Sequence, residues 1–288
     1  MKHSSPGAAI GLLMIAGCSQ PSKPLVAGSK LTVESSVLGE ILAQHIQNTL
    51  GVSVGRRAGM MGTVSAHQAL LSGEIDLYAE DSGTAYYSIF RLPASKDPDL
   101  LNSRVALEYQ NLGIRWMAPL GYLSTYVVAA SAAKVNASTL SGLADGEFSP
   151  TISYTLEFSD RLDGFAAMMA GYKLKLSGSP RVVEPNLVAA QLTQQLSHIA
   201  VVGASDPVLL NGKCKVLEDD KKMFTGYPAA IVVKERTLAT NPQLEGALKR
   251  LEGKLPLETI RNLNNGVVTL GKSPAAVAAE FLHQAGLK

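Results

Sequence analysis

The 288 residues are 46% hydrophobic and 17% charged, a balance that describes a globular chain and excludes a disordered one. Lys plus Arg total 26 and Asp plus Glu 24, a formal charge of +2, and no basic patch interleaved with aromatics appears, so nucleic acid is not an expected partner. The length suits one large domain or two ordinary ones.

Lys2 and His3 precede an apolar run over residues 8–15, too short to span a bilayer and suited to the core of a signal peptide. The run ends Ile15-Ala16-Gly17-Cys18, small residues before a cysteine, which resembles a bacterial lipobox. Residues 1–18 are therefore read as a lipoprotein signal peptide, Cys18 as the acylated residue and residues 19–27 as a tether. An ordinary signal peptide with a chance cysteine, or a buried helix, is the alternative. Cys214 is the other cysteine, so no internal disulfide is expected in the mature chain, and nothing near it has metal-ligand spacing. No later apolar run reaches transmembrane length.

From there the pattern alternates strand and helix. Residues 31–33 read as a strand and 37–50 as an amphipathic helix, with Val37, Ile41, Leu42, His45, Ile46 and Leu50 on its buried side. Residues 52–54 read as a strand, 59–63 as a loop with Thr63 as N-cap, and 66–71 as a helix. The stretch 73–84, Gly-Glu-Ile-Asp-Leu-Tyr-Ala-Glu-Asp-Ser-Gly-Thr, is the centre of the chain: a short strand running into a turn, followed by a helix over 84–90. Open α/β sheets bind ligands beyond the carboxyl ends of their strands, which would display Glu80, Asp81, Ser82 and Thr84 on the binding edge. The plainer reading is a capped turn, with Asp81 or Ser82 as N-cap and Gly83 for tightness.

Further on, Pro98–Asn111 reads as a helix. Strands at 114–117 and 125–129 flank an expected turn at 119–121. A short helix spans 139–146, a strand 151–155, and a helix capped by Asp160 runs over 160–171. Then come a strand at 181–183, a helix at 186–196, and strands at 199–202, 215–217 and 230–233. The rest is helical, over 242–251, 256–264 and 274–282. The economical arrangement is two α/β lobes, residues 28–125 plus 230–288 and residues 126–229, hinged by two crossing segments with a ligand cleft between them.

Gly266 to Ser273 matches the Walker A pattern literally, but a polar helical stretch stands where the buried strand should be. Ser273-Pro274 is an N-cap and first-turn pair instead. The five histidines are scattered, no Gly-x-Ser-x-Gly elbow appears, and the acids Glu74, Asp76, Glu80 and Asp81 have no nucleophile beside them, so an enzyme is not expected.

Several separate blocks occur in an order that resembles one family. They include Gly28-Ser29-Lys30, Gly73-Glu74-Ile75-Asp76-Leu77-Tyr78, Ser82-Gly83-Thr84, Pro119-Leu120-Gly121-Tyr122, Thr125-Tyr126, Asp160-Arg161-Leu162-Asp163-Gly164 and Tyr227-Pro228-Ala229-Ala230. The chain resembles the substrate-binding proteins of bacterial ABC importers for glycine betaine, choline and related quaternary amines. The resemblance implies the two-lobed periplasmic-binding-protein fold, type II-like. It implies a small-molecule solute, permease and ATPase partners, a monomer held in the cell envelope by a lipid anchor, and no cofactor. It carries a carboxylate grip onto Lys30, Thr84 and Arg161, and two walls of a cation cage onto Tyr126 and Tyr227.

The pattern also departs from the family. Asp81 stands where a cage tyrosine is usual, Gly203 where another aromatic is usual, Met61 replaces a common glycine, and Thr32-Val33 replaces a common Phe-Thr pair. A carboxylate at 81 neutralises a cation and also accepts hydrogen bonds, which a quaternary amine cannot donate. Either Asp81 faces the ligand and favours a cation with N–H groups, or one bulkier than glycine betaine and ergothioneine-like, or it faces outward onto a lysine or arginine. Two other classes are open to this sequence: a ligand-sensing protein without transport, and a degenerate relative with an enzymatic or scaffolding role.

Overall fold

The computed structural model describes residues 1, 24–93, 95 and 97–287; the proposed acylation residue Cys18 lies outside them. The first four strands are β1 (Leu25–Lys30), β2 (Val54–Met60), β3 (Leu77–Asp81) and β4 (Ile114–Ser124). The middle of the chain supplies β5 (Tyr126–Ser131), β6 (Ile152–Tyr154), β7 (Arg181–Val182), β8 (Ile199–Gly203) and β9 (Cys214–Leu217), and β10 (Tyr227–Lys234) returns to the first set. Two five-stranded sheets result, ordered β2-β1-β3-β10-β4 and β7-β6-β8-β5-β9. β1 runs parallel to β2 and β3, while β10 lies antiparallel between β3 and β4. Tyr227 and Pro228, assigned by sequence to the middle lobe, pair with Ser124 and Leu123 in the first sheet. The two crossing segments therefore leave the first sheet side by side.

Each sheet buries both faces. On one face of the first sheet, Ile41 and Ile46 of the helix Val33–Leu50 pack with Leu248 and Phe281 from the carboxyl-terminal helices. On the other, Leu70, Tyr78, Tyr109 and Tyr227 form a second, aromatic cluster. The second sheet buries Tyr154, Phe158 and Met168 on one side and Val188, Leu192 and Val202 on the other.

The elements differ from the sequence expectation where side chains compete with pattern. Residues 31–33 are not a strand: Thr32 is the N-cap of Val33–Leu50, its hydroxyl accepting from the Ser35 amide, and the first strand lies at Leu25–Lys30. Thr63 is not a cap; it lies inside the helix Gly62–Ser72. The expected turn at 119–121 is absent, because β4 is an edge strand and Pro119 needs no ladder N–H there. The helix expected from 84 to 90 is a short turn, Ser82–Thr84, followed by the π-helix Ala85–Ile89. The helix expected over 160–171 is two pieces, Leu156–Asp160, capped by Thr155, and Phe165–Tyr172. Between them Arg161 is extended at φ −74° and ψ 143°. In the Walker-like stretch, Ser273 caps the last helix by accepting from the Ala276 amide, and Lys272 pairs with Glu280, so the stretch is a helix junction.

Gly164 permits the break beside Arg161. A Cβ there would lie 1.9 Å from the Phe158 carbonyl oxygen, a backbone atom with little room to yield. Gly164→Ala is expected to cost about 1–3 kcal/mol, read as a lower urea midpoint, whereas Gly203→Ala, whose Cβ would meet only Ser205 Oγ at 3.5 Å, should leave the midpoint nearly unchanged.

Candidate ligand-binding cleft

A cavity of about 330 Å³ lies between the two sheets. The first lobe contributes Lys30 from the end of β1, Glu80 and Asp81 from the end of β3, Thr84 from the following turn, and Tyr227 from the start of β10. The second contributes Tyr126 from the start of β5, and Glu157 and Arg161 from the broken helix. The six ligand-site residues expected from sequence, Lys30, Asp81, Thr84, Tyr126, Arg161 and Tyr227, thus line one cavity. What each touches within it differs from the simple division into an anion grip and a cation cage.

Lys30 Nζ donates to Glu80 Oε1 at 2.7 Å and to Thr63 Oγ1 at 3.1 Å. The Glu80 side chain is fully buried, and its Oε1 also accepts from the Asp81 amide at 3.0 Å, so it braces the turn as well as the lysine. Burial lifts the Glu80 carboxyl to about 7, against the pull of Lys30, with the neighbouring Asp81 charge pushing the same way as burial. Asp81 meets both descriptions given for it. Its Oδ1 accepts from the Thr84 amide at 2.7 Å, which caps the turn, and the residue lines the cleft. No lysine or arginine forms an ion pair with it among the described residues.

Arg161 joins the lobes. Its guanidinium makes a bidentate pair with Asp163, Nε to Oδ1 and Nη2 to Oδ2, both at 2.8 Å. Its Nη1 crosses to Thr84 Oγ1 at 3.0 Å, and the Tyr227 hydroxyl crosses back to Asp163 Oδ2 at 2.8 Å. Its Cζ lies 5.2 Å from the centroid of the Tyr87 ring and 5.5 Å from those of Tyr126 and Tyr227. The chain's own guanidinium therefore occupies the negative faces of three tyrosines. Burial opposes that charge, and the Asp163 carboxylate more than offsets it, so Arg161 is held protonated.

Gly83 makes this packing possible, since a Cβ on it would fall 2.2 Å from the Tyr227 ring. Gly203 pairs with Tyr126 across the β5–β8 ladder and leaves open space where a side chain would project. Met61 is 67% exposed and does not line the cavity. Sequence reasoning gave no role to Tyr87, Asp163 or Glu157. Asp163 stands two residues beyond Arg161, and an acid that close to a buried arginine was the available signal; Tyr87 gave none, because its ring reaches Arg161 only through the π-helical turn.

Fold and cleft together define a two-lobed solute-binding protein. The model of the substrate-binding domain of ABC-type glycine betaine transport systems matches residues 23–284, and the chain belongs to this family. It is 31% identical over 269 residues to the ergothioneine transport permease/ergothioneine binding protein EgtU of Helicobacter pylori strain G27, covering 92% of this chain but only 48% of that one. It is 27% identical over 284 residues to the carnitine transport binding protein OpuCC of Listeria monocytogenes, covering 94% of this chain and 92% of the relative. Among solved structures, a glycine betaine/carnitine/choline ABC transporter protein superposes with a TM-score of 0.77 at 22% identity, over 91% of this chain and 99% of that one, and supports the fold.

The raised Glu80 pKa fixes the sign of a pH effect. The folded state binds a proton that the unfolded state has released between pH 4.5 and about 7, so the Glu80 contribution to stability is lost as pH rises through that window. Urea midpoints at pH 5 and pH 7.5 should fall more steeply for the wild type than for Glu80→Gln; parallel losses would show that the carboxyl titrates normally.

Proposed function

We propose that this chain captures a small zwitterionic or cationic solute of the glycine betaine and choline type outside the cytoplasm and delivers it to an ABC permease driven by a partner ATPase. The observation that carries this reading is Arg161, a buried cation at the lobe interface whose Nη1 reaches only a neutral hydroxyl on the opposite lobe. A ligand carboxylate arriving there would meet Arg161, Thr84 and the Lys30 ammonium, groups that form charge-assisted hydrogen bonds with an anion. Tyr126 and Tyr227, with Asp81, would face the cationic end. Acylation at Cys18 would hold the receptor on the outer side of the cytoplasmic membrane or in the periplasm. No helix among the described residues is long and apolar enough to cross a membrane.

A second reading within the same class has its own support. The rings expected to hold a quaternary amine already face Arg161, and the space beside Gly203 is open. Both features favour an amine-bearing or bulkier cation over glycine betaine itself.

The test is calorimetric titration of the wild type and Arg161→Ala with glycine betaine and with choline. Glycine betaine should lose about 2–5 kcal/mol of binding free energy, while choline, which has no carboxylate, should lose little. Equal losses for the two ligands would refute the carboxylate assignment.

A further inference from the structure

The cleft has a second wall that the carboxylate grip and the tyrosines leave unused. Ala204, Ser205 and Asp206 follow β8 and lie beside the crossing segment, where the Ala204 amide donates to the Thr125 carbonyl at 2.8 Å. Glu34, in the first turn of Val33–Leu50, lines the same cavity, as do Ser205, Asp206 and Asn264. Glu34 Oε1 accepts from the Tyr122 hydroxyl at 2.7 Å and its Oε2 from the Ser205 hydroxyl. Asp206 Oδ1 accepts from the Val208 amide at 2.8 Å. Neither carboxylate has an ion pair with lysine or arginine among the described residues. Burial lifts the Asp206 carboxyl above its ordinary range; the Val208 amide partly offsets this, and the charge of Glu34 adds to it. Two acids thus face one cavity wall without a cation.

Asn264 is the independent observation. It is 3% exposed, on the helix Leu257–Val268, and its Nδ2 donates to the Ser205 carbonyl at 3.1 Å. That bond fixes the amide orientation, because a carbonyl can only accept. The residue lines the cavity, and its Oδ1 is buried with no hydrogen-bond partner among the described residues. An unpaired buried acceptor is costly, and a donor from a ligand that reached it would remove that cost. This wall brings two carboxylates and one unpaired amide oxygen together beside the cavity.

We propose that Glu34, Asp206 and Asn264 form a second subsite, for a terminal N–H-bearing cation (a primary ammonium or a guanidinium) on a solute whose carboxylate end sits against Arg161. This rests on the function proposed above and specifies the ligand: a betaine or amino acid with a side chain long enough to carry its own cation to this wall. The cavity, at about 330 Å³, falls at the lower end of the roughly 300–1,000 Å³ that holds extended small molecules. A methylated ammonium would leave Asn264 Oδ1 unpaired, so the donor hydrogens, and not charge alone, are what this wall selects.

The test uses a matched pair. Lysine betaine (Nα-trimethyllysine with a free side-chain amine) and norleucine betaine share the carboxylate, the quaternary nitrogen and nearly the same chain, and differ in the terminal ammonium. Calorimetry with purified protein should show lysine betaine binding about tenfold or more tightly, as for a charge-assisted hydrogen bond in a partly buried site. In Asp206→Asn, which retains an oxygen to accept from Val208, that ratio should fall to about threefold or less, and in Glu34→Gln it should fall as well. A wild-type ratio near one, or a ratio unchanged in Asp206→Asn, overturns the subsite while leaving the betaine receptor standing. If neither betaine nor glycine betaine binds, 1,5-diaminopentane separates the two ideas. Binding that weakens in Asp206→Asn keeps the subsite and removes the betaine reading; no binding removes both.

Discussion

The structure of the cleft follows from one constraint: the Arg161 guanidinium, its side chain 2% exposed, carries a full charge between two lobes. An arginine does not escape burial by losing its proton, so the surroundings must supply the compensation. Asp163 supplies the counter-charge in a two-bond fork. Tyr87, Tyr126 and Tyr227 supply ring faces from both lobes. Thr84 supplies an acceptor on the far side, and Tyr227 binds the other end of the same network through Asp163. The break in the helix, Gly164 and Gly83 are consequences of fitting this group, since each lets backbone or ring approach where a side chain would stand.

The lobes are joined by two sets of polar contacts of different character. One set is the Arg161 network, of which Arg161, Thr84, Tyr126 and Tyr227 line the cavity. The other lies beside the crossing segments, where Arg261 donates through Nε and Nη2 to the Ala204 carbonyl and Asn264 donates to the Ser205 carbonyl. These bonds end on backbone carbonyls of a short loop, whose Ser205 hydroxyl also donates to the Glu34 carboxylate. Asn186 adds a bond from the second lobe to the Leu31 carbonyl of the first. A solute that engages Arg161 therefore changes the first set directly, while the second set holds the loop carrying Ser205 and Asp206 in register with the carboxyl-terminal helices.

Much of this was legible in the sequence, and the reasons are physical. Alternation of strand and helix, with a helical tail that follows the last strand, fixes a two-lobed α/β arrangement because those helices must cover a sheet formed earlier in the chain. Five of the six candidate ligand residues were legible from ordered motif blocks and Asp81 as a departure from them, and the six share a cavity. What was not legible is the partner of each side chain. Apolar period cannot distinguish a β-branched pair that starts a strand from a threonine that caps a helix, as at Thr32. Nor can it see that residues 160–171, helical by pattern, must be interrupted so that Arg161 can be extended into the cleft. Tyr126 and Tyr227 were read as walls of a cage for a ligand cation; they face Arg161, a contact that depends on three segments far apart in sequence.

The same argument bears on how the cleft selects its solute. In a site whose aromatic faces are empty, a quaternary amine gains attraction by entering; here the rings already hold a cation, so an incoming amine gains only what exceeds the interaction it displaces. The carboxylates are placed differently. Glu80 forms an ion pair with Lys30 and Asp163 with Arg161, whereas Asp81, Glu34 and Asp206 have hydrogen bonds but no ion pair among the described residues, and the charges of Lys30 and Arg161 still act on Asp81. The unfilled electrostatic capacity of the cleft therefore lies with carboxylates and not with rings. Carboxylates reward hydrogen-bond donors as well as charge.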